Sequence, residues 1–406
     1  MSGPEVPRWQ QALFERRNLG VKLDLAAVRA VHAALGAPGA GVRAVHVLGT
    51  NGKGSTAAMV AHVLRGRGLR VGLYTSPHLH RVGERLRVDG AAASDDEVQA
   101  LCDRVLAAER AGPRPLTFFE VLTLAALLHF AGRSVDALVI EAGLGGRLDA
   151  TRVLRYTASL FTPIALDHMQ YLGPTIAAIA GEKAAVMEDG APAVSAPQTA
   201  EAEAVLRATA ARCGVALEFV APLARAPRGL AGEHQRVNGA LALAGARRLV
   251  AGATAEELDG VVWPGRLERV RVGGGAAVFD VAHNPHGIAA LVEALREAPA
   301  RRVVVFGCLA DKDARGMLQR LATLGCPLWL APLAGGGSLE AAAEGLAART
   351  FAAAEAPELA AAMAAWLAGD NELVVCGSHH LVGLLRGRLL GEAGDVRRLS
   401  DPLARG

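Results

Sequence analysis

Short apolar runs alternate with amphipathic stretches along nearly the whole chain. Residues 44–48, 70–74, 136–141 and 158–164 read as strands in the first half. Residues 276–281, 302–306, 327–330 and 372–376 repeat the rhythm in the second. Between them lie helical stretches, one from about 55 to 65, others opened by recognisable caps. Ser94 with Glu97, and Thr117 with Glu120, have the spacing of capping boxes, in which each side chain satisfies the other residue's backbone N–H. Thr175 caps a stretch carrying Lys183, a helix follows Pro285, and a last one follows Cys376. Strands alternating with helices predict α/β architecture, with parallel sheets covered by helices. At 406 residues the chain exceeds one typical core. The tract Gly273-Gly274-Gly275 breaks the composition, and two domains are expected, 1–270 and 276–406.

Composition narrows the class without naming it. A net charge of +3 provides no field for a polyanion, so neither nucleic acid nor a membrane surface is an expected partner. The longest apolar run, around residues 121–132, falls short of the ~20 residues a membrane helix needs. The N-terminal residues carry no secretory pattern. The cysteines are odd in number and lack CxxC spacing, which suits free thiols in a reducing cytoplasm. A monomer is the default expectation. Only four residues are lysine: Lys22, Lys53, Lys183 and Lys312. In so arginine-rich a chain, lysine marks places where a compact charge or a reactive amine is needed.

Lys53 lies in Gly49-Thr50-Asn51-Gly52-Lys53-Gly54-Ser55, between a strand and a helix. That arrangement cradles phosphate: backbone N–H groups and the helix dipole face the anion, and the lysine adds a cation. Val47 stands where the usual pattern begins with glycine, and Gly54 replaces the hydroxyl residue that holds Mg²⁺. If the site uses Mg²⁺, another side chain must hold it. Glu141 emerges at the carboxyl end of a predicted strand, where open sheets bind ligands, although a surface-loop carboxylate reads the same way. Ser76 and His168 follow other strand ends; taken singly, Ser76 reads first as a turn residue and the histidine as a structural one. The expected fold is therefore a P-loop-type, mostly parallel sheet flanked by helices, forming an N-terminal ATPase domain. A smaller Rossmann-like α/β domain follows it.

With these blocks in hand, the chain resembles the folylpolyglutamate synthase/dihydrofolate synthase family, relatives of the Mur ligases. The matching segments run in order: the glycine loop; Thr75-Ser76-Pro77-His78-Leu79; Thr117-Phe118-Phe119-Glu120; the eleven residues from Glu141 to Thr151; Leu166-Asp167-His168; Glu182-Lys183-Ala184; Gly232-Glu233-His234-Gln235; Trp263-Pro264-Gly265-Arg266-Leu267-Glu268; Asp280-Val281-Ala282-His283-Asn284; and Asp311-Lys312-Asp313. The bacterial bifunctional enzyme fits best.

The resemblance implies ATP-dependent addition of L-glutamate to dihydropteroate or a reduced folate. The acceptor carboxylate attacks the γ-phosphate, and the glutamate amine displaces the resulting acyl phosphate. It implies that Asn51, Gly52, Lys53, Gly54, Ser55, Asn238, Arg266, Asp280 and His283 bind ATP. Ser76, Glu141, His168 and Lys183, the last as a carbamate, would hold Mg²⁺. Lys183, Lys53, His168 and Glu141 would be catalytic. Thr117, Phe118, Phe119, Glu120, Leu148, Asp149 and Ala150 match the pterin-binding segments. On residues alone the phenylalanines fit a core equally well, and Glu120 a capping acid. His379 and His380 read first as a helix start, with a place near the glutamate as the alternative.

Three positions depart from the family pattern: Val281 and Ala185 replace glycines, and Arg152 replaces an asparagine. Two rivals remain. A Mur-type cell-wall peptide ligase shares the mechanism, but usually has a further domain before the glycine loop and Thr where Gly54 stands. A non-ligase P-loop regulatory protein would bind ATP and ignore glutamate.

Overall fold

The computed structural model describes residues 8–20, 22, 24–296 and 301–392. Its first sheet has eight strands: β1 (Arg43–Leu48), β2 (Val71–Tyr74), β3 (Leu86–Val88), β4 (Ala91–Ala92), β5 (Ala137–Glu141), β6 (Ala158–Phe161), β7 (Ala193–Ser195) and β8 (Leu217–Phe219). Their spatial order is β4-β3-β2-β5-β1-β6-β7-β8, parallel except at the β2-β3-β4 edge. Helices Phe118–Gly132 and Asp95–Ala108 cover one face; Lys53–Gly66 and His234–Arg247 cover the other. Burial on both faces explains why β1 and β5 read as continuous apolar runs.

The second sheet has six strands: β9 (Glu268–Val272), β10 (Gly275–Phe279), β11 (Arg302–Phe306), β12 (Leu328–Leu330), β13 (Ala348–Thr350) and β14 (Glu372–Cys376). The order is β13-β12-β11-β14-β10-β9, with only β9 antiparallel. Separate cores lie on its two faces. The chain is thus α/β as expected, with a mostly parallel first sheet and a second sheet in the C-terminal part.

The glycine tract is a tight turn: Gly273 and Gly274 join β9 to β10, paired in register from Gly275↔Val272 to Phe279↔Glu268. The second sheet begins at Glu268. A composition break marks a place where the backbone turns sharply, and a hairpin supplies that as well as a linker does.

The helix starts are as expected. Ser94 and Thr117 form both expected capping boxes, Thr175 accepts the Ala178 N–H, and Asn284 accepts from Gly287 with Pro285 in the first turn. The caps matter here because several of these helices begin at strand carboxyl ends, where the site lies.

At the opposite end of the second sheet Glu372 is buried, held by Arg302 at 2.5 Å and by Arg269. Removing the buried partner of a buried charge costs more than the pair itself contributes. Arg302→Met should therefore lower the unfolding free energy by about 3 kcal/mol, read by urea denaturation. A loss under about 1 kcal/mol would mean that Arg269 alone neutralises Glu372.

Candidate active site

The carboxyl ends of the first sheet's central strands face those of the second across one cavity of about 290 Å³. Every candidate named from the sequence lines it except Lys183. Lys183 opens into a smaller space behind, shared with Lys53, Asp167, His168 and His283.

The phosphate-loop end is built by β1 and the Lys53–Gly66 helix. Gly52 caps that helix at φ +90°, and a Cβ there would fall 2.4 Å from Asn238 Oδ1. Only glycine permits that backbone so close to Asn238. Lys53 Nζ donates to the Thr50 carbonyl at 3.0 Å. Gly54 faces the acidic wall: a Cβ on it would lie 3.6 Å from Glu141 Oε2, beside Trp263 and Arg266.

Glu141 is buried at the end of β5, and its Oε2 accepts the Ser76 N–H at 3.1 Å. Burial raises its pKa, against the pull of Lys53 and the Ser76 N–H. His168 sits just past β6 in the left-handed region at φ +50°, an uncommon conformation for a residue with a Cβ. Among the described residues no three His, Cys, Asp or Glu side chains form a ready-made metal centre. The donors gathered here are a hydroxyl, one carboxylate and an imidazole. That set suits a hard cation which keeps most of its shell for phosphate oxygens and water.

Lys183 is buried in the Ile176–Ala184 helix. Burial and the nearby Lys53 charge push its pKa down to about 7. A lysine so placed is partly neutral, and therefore nucleophilic, near neutrality.

The second sheet contributes Arg266 before β9 and Asp280 after β10. Asp280 accepts from the Leu267 and Ala282 N–H groups at 2.9 and 2.8 Å, which fixes the turn carrying His283. Arg266 Nη2 lies 3.5 Å from His379 Nε2, and the His379 ring lies 5.3 Å from that of His283. Burial drives the His379 pKa well below its ordinary value, so this imidazole is neutral. Ser378 caps the last helix through the His380 N–H, so His379 and His380 are indeed a helix start, with His379 also facing the cavity.

The other end of the cavity separates readings that the sequence left open. Phe118 is a core residue, its ring 5.8 Å from Phe14, whereas Phe119 is half-buried. A Cβ on Gly143 would fall 2.5 Å from the Phe119 ring, so the glycine makes room for that wall. Glu120 is the capping acid: it accepts from the Thr117 N–H at 2.7 Å and from Arg114 at 2.8 and 3.0 Å. Asp149 also spends its oxygens locally, on Leu144 N at 2.8 Å and on Thr151 N and Oγ1 at 3.0 and 2.5 Å. Both carboxylates border the cavity and shape its loops.

The departures are absorbed. Arg152 pairs with Asp189 at 2.7 Å; Val281 packs into the second core while its N–H bonds the Gly265 carbonyl at 3.0 Å.

With the geometry in place, the comparisons with known proteins decide the family. Residues 47–196 match the Mur ligase middle domain, and residues 265–379 the Mur ligase, glutamate ligase domain. A Bacillus subtilis dihydrofolate synthase/folylpolyglutamate synthase is 37% identical over 348 residues, 76% of this chain and 81% of that one. The chain belongs to the dihydrofolate synthase/folylpolyglutamate synthase family. Escherichia coli FolC in complex with DHPP and ADP superposes with a TM-score of 0.84 at 30% identity, covering 96% of this chain and 99% of that one. A bifunctional folylpolyglutamate synthase/dihydrofolate synthase solved with Mn, AMPPNP and L-glutamate gives 0.83 at 31%, covering 96% and 100%.

The family makes this chain an ATP-dependent ligase and sets aside the cell-wall and regulatory readings. Among the described residues no helix is long and apolar enough to cross a membrane.

Family motifs alone left some cavity residues without roles. Arg85, buried beneath Phe118 with its Nε 2.8 Å from His78 Nδ1, carried no motif signal. Lys312 lay in the matching Asp311-Lys312-Asp313 segment without a role, yet it lines the cavity.

The buried amine sets a pH dependence. The unfolded chain keeps the Lys183 proton up to about pH 10.5 and the folded chain only to about 7. Between those values the unfolded state binds more protons, so stability rises with pH. Denaturation of the bicarbonate-free protein at pH 7 and pH 9 should show this rise, and Lys183→Met should flatten it. An equal slope in the variant would place the lysine's burial in error.

Proposed function

We propose that this ligase joins L-glutamate to the carboxylate of dihydropteroate and of reduced folates through an acyl phosphate, and so performs both family reactions. The observation that supports it is one cavity with a phosphate cradle at one end and a half-buried aromatic wall, Phe119, at the other. A flat ring stacks on that wall while its tail reaches the cradle. The likeness to relatives named for both activities supports the double role.

In this reading the Lys53–Gly66 helix N-terminus and Lys53 hold the ATP phosphates. Arg266, Asp280 and His283 approach the nucleotide from the second sheet, and Asn238 backs the loop from the His234–Arg247 helix. Ser76, Glu141 and His168 would hold Mg²⁺, joined by Lys183 as a carbamate. The Mn in the related structure supports a divalent ion here. Such an ion supplies neutralisation of charge on the transferring phosphoryl group. Deprotonated Lys183 adds to CO₂, its nitrogen forming the C–N bond and releasing a proton, which turns an unwanted cation into a two-oxygen anion. Arg266, kept in place beside neutral His379, offsets negative charge that develops on the acyl phosphate.

The division into domains falls, in this reading, just before Glu268. The protein acts as a monomer in the cytoplasm, where its five unpaired cysteines stay reduced.

Glutamate-dependent ADP release is the direct test, with dihydropteroate and tetrahydrofolate as separate acceptors. Turnover with both is expected; turnover with one assigns a single step, and release indifferent to glutamate would refute ligation. Lys183→Arg keeps the fold and a cation but cannot form the carbamate, so kcat should fall at least a hundredfold. Near-normal turnover in that variant would eliminate the carbamate.

A further inference from the structure

Asn284 is 2% exposed and joins three segments. Its Oδ1 accepts from Gly287 N at 2.8 Å, capping the Pro285–Leu295 helix, and from Asn51 Nδ2 at 3.0 Å. Its Nδ2 donates to Asn51 Oδ1 and to Asp167 Oδ2, both at 3.0 Å. A carboxamide has two acceptor sites and two donor hydrogens, and all four are used. The amide orientation is fixed as well, because a flipped group would set an NH₂ against the Gly287 N–H.

Asp167, the shared acceptor, is also reached by Lys312 Nζ at 2.8 Å and by the His168 N–H at 2.9 Å, and His283 Nε2 lies 3.4 Å away. Asn51 belongs to the phosphate loop and His168 to the proposed metal site, while Asn284 and Lys312 lie in the segments that follow β10 and β11 of the second sheet. A neighbouring imidazole, His286 Nδ1, contacts Asn51 Nδ2 at 2.9 Å. The side chain of Asn51 is thus engaged by the second domain.

We propose that Asn284 is a positioning residue for phosphoryl transfer. It sets the register of the second sheet against both the phosphate loop and the Asp167–His168 turn, with Lys312 as the charged half of the same contact. Asn51 serves as its counterpart. The proposal rests on the ligase reading above. An angstrom-scale misplacement of reacting groups is enough to cost roughly a hundredfold in rate.

Asn284→Ser separates this role from helix capping. A serine hydroxyl still caps the helix, but it cannot span to Asn51 and Asp167. Expected is a roughly hundredfold fall in kcat with the thermal unfolding midpoint nearly unchanged. Asn51→Ala should lower kcat comparably, and the double variant should be no worse than Asn284→Ser alone, the non-additivity of residues acting as one unit. Wild-type kcat in Asn284→Ser, or full additivity in the double variant, would overturn the proposal. If Asn284→Ser does not fold, Asn51→Ala with normal kcat overturns it equally.

Absence of glutamate-dependent ADP release in the wild type would fall on the ligase reading instead. The register is then read from AMPPNP binding by calorimetry. Asn284→Ser must weaken that binding, and Asn51→Ala must add nothing further; any other pattern refutes it.

Discussion

A single buried carboxylate, Asp167, is reached from both halves of the molecule. Burial opposes its charge; the His283 hydrogen bond and the charges of His168, His283 and Lys312 overcome that and hold its pKa well below the carboxylate range. Lys312 is treated symmetrically: burial works against it, and Asp167 and Asp311 more than offset the penalty. Two buried charges that each need the other tolerate little displacement. The cavity therefore has a defined shape only where the two sheets present these groups together.

Around that contact the charge is unevenly distributed. Lys53, Lys183, Arg266 and Lys312 border the two connected spaces, and Glu141 is a carboxylate there not spent on its own loop. Burial lowers the pKa values of both Lys183 and Arg266; the Lys53 charge adds to the effect at Lys183, whereas Asp280 and Glu141 oppose it at Arg266. All four lysines line these spaces, consistent with a need for compact charge there.

Much of this was legible from residue patterns. The central strands were found because burial on two faces leaves an unbroken apolar run. The edge strands β8 and β13 were missed because they are short and half or fully exposed. Capping residues announced helix starts reliably, since their partners lie three residues away. The choice between Phe118 and Phe119 could not be made, because adjacent helix positions differ by only 100° and both border apolar surface. Glu120 and Asp149 matched a ligand-binding pattern while serving their own loops. Asn284 and Lys312 were unreadable as bridging residues: their partner Asp167 lies 117 and 145 positions away in the chain.

The hairpin β9–β10 has a consequence at its far end. Arg266 enters just before β9 and Asp280 leaves just after β10, so their spacing across the cavity is measured out by the ladder between them. Because strand pairing advances in whole residues, a deletion at Gly273 or Gly274 would be transmitted along the ladder as a discrete slip. It would swap which side chains face the core and carry Arg266 past its partners. Tolerance to insertion at this remote, exposed turn is accordingly an indirect gauge of how finely that side of the cavity is aligned.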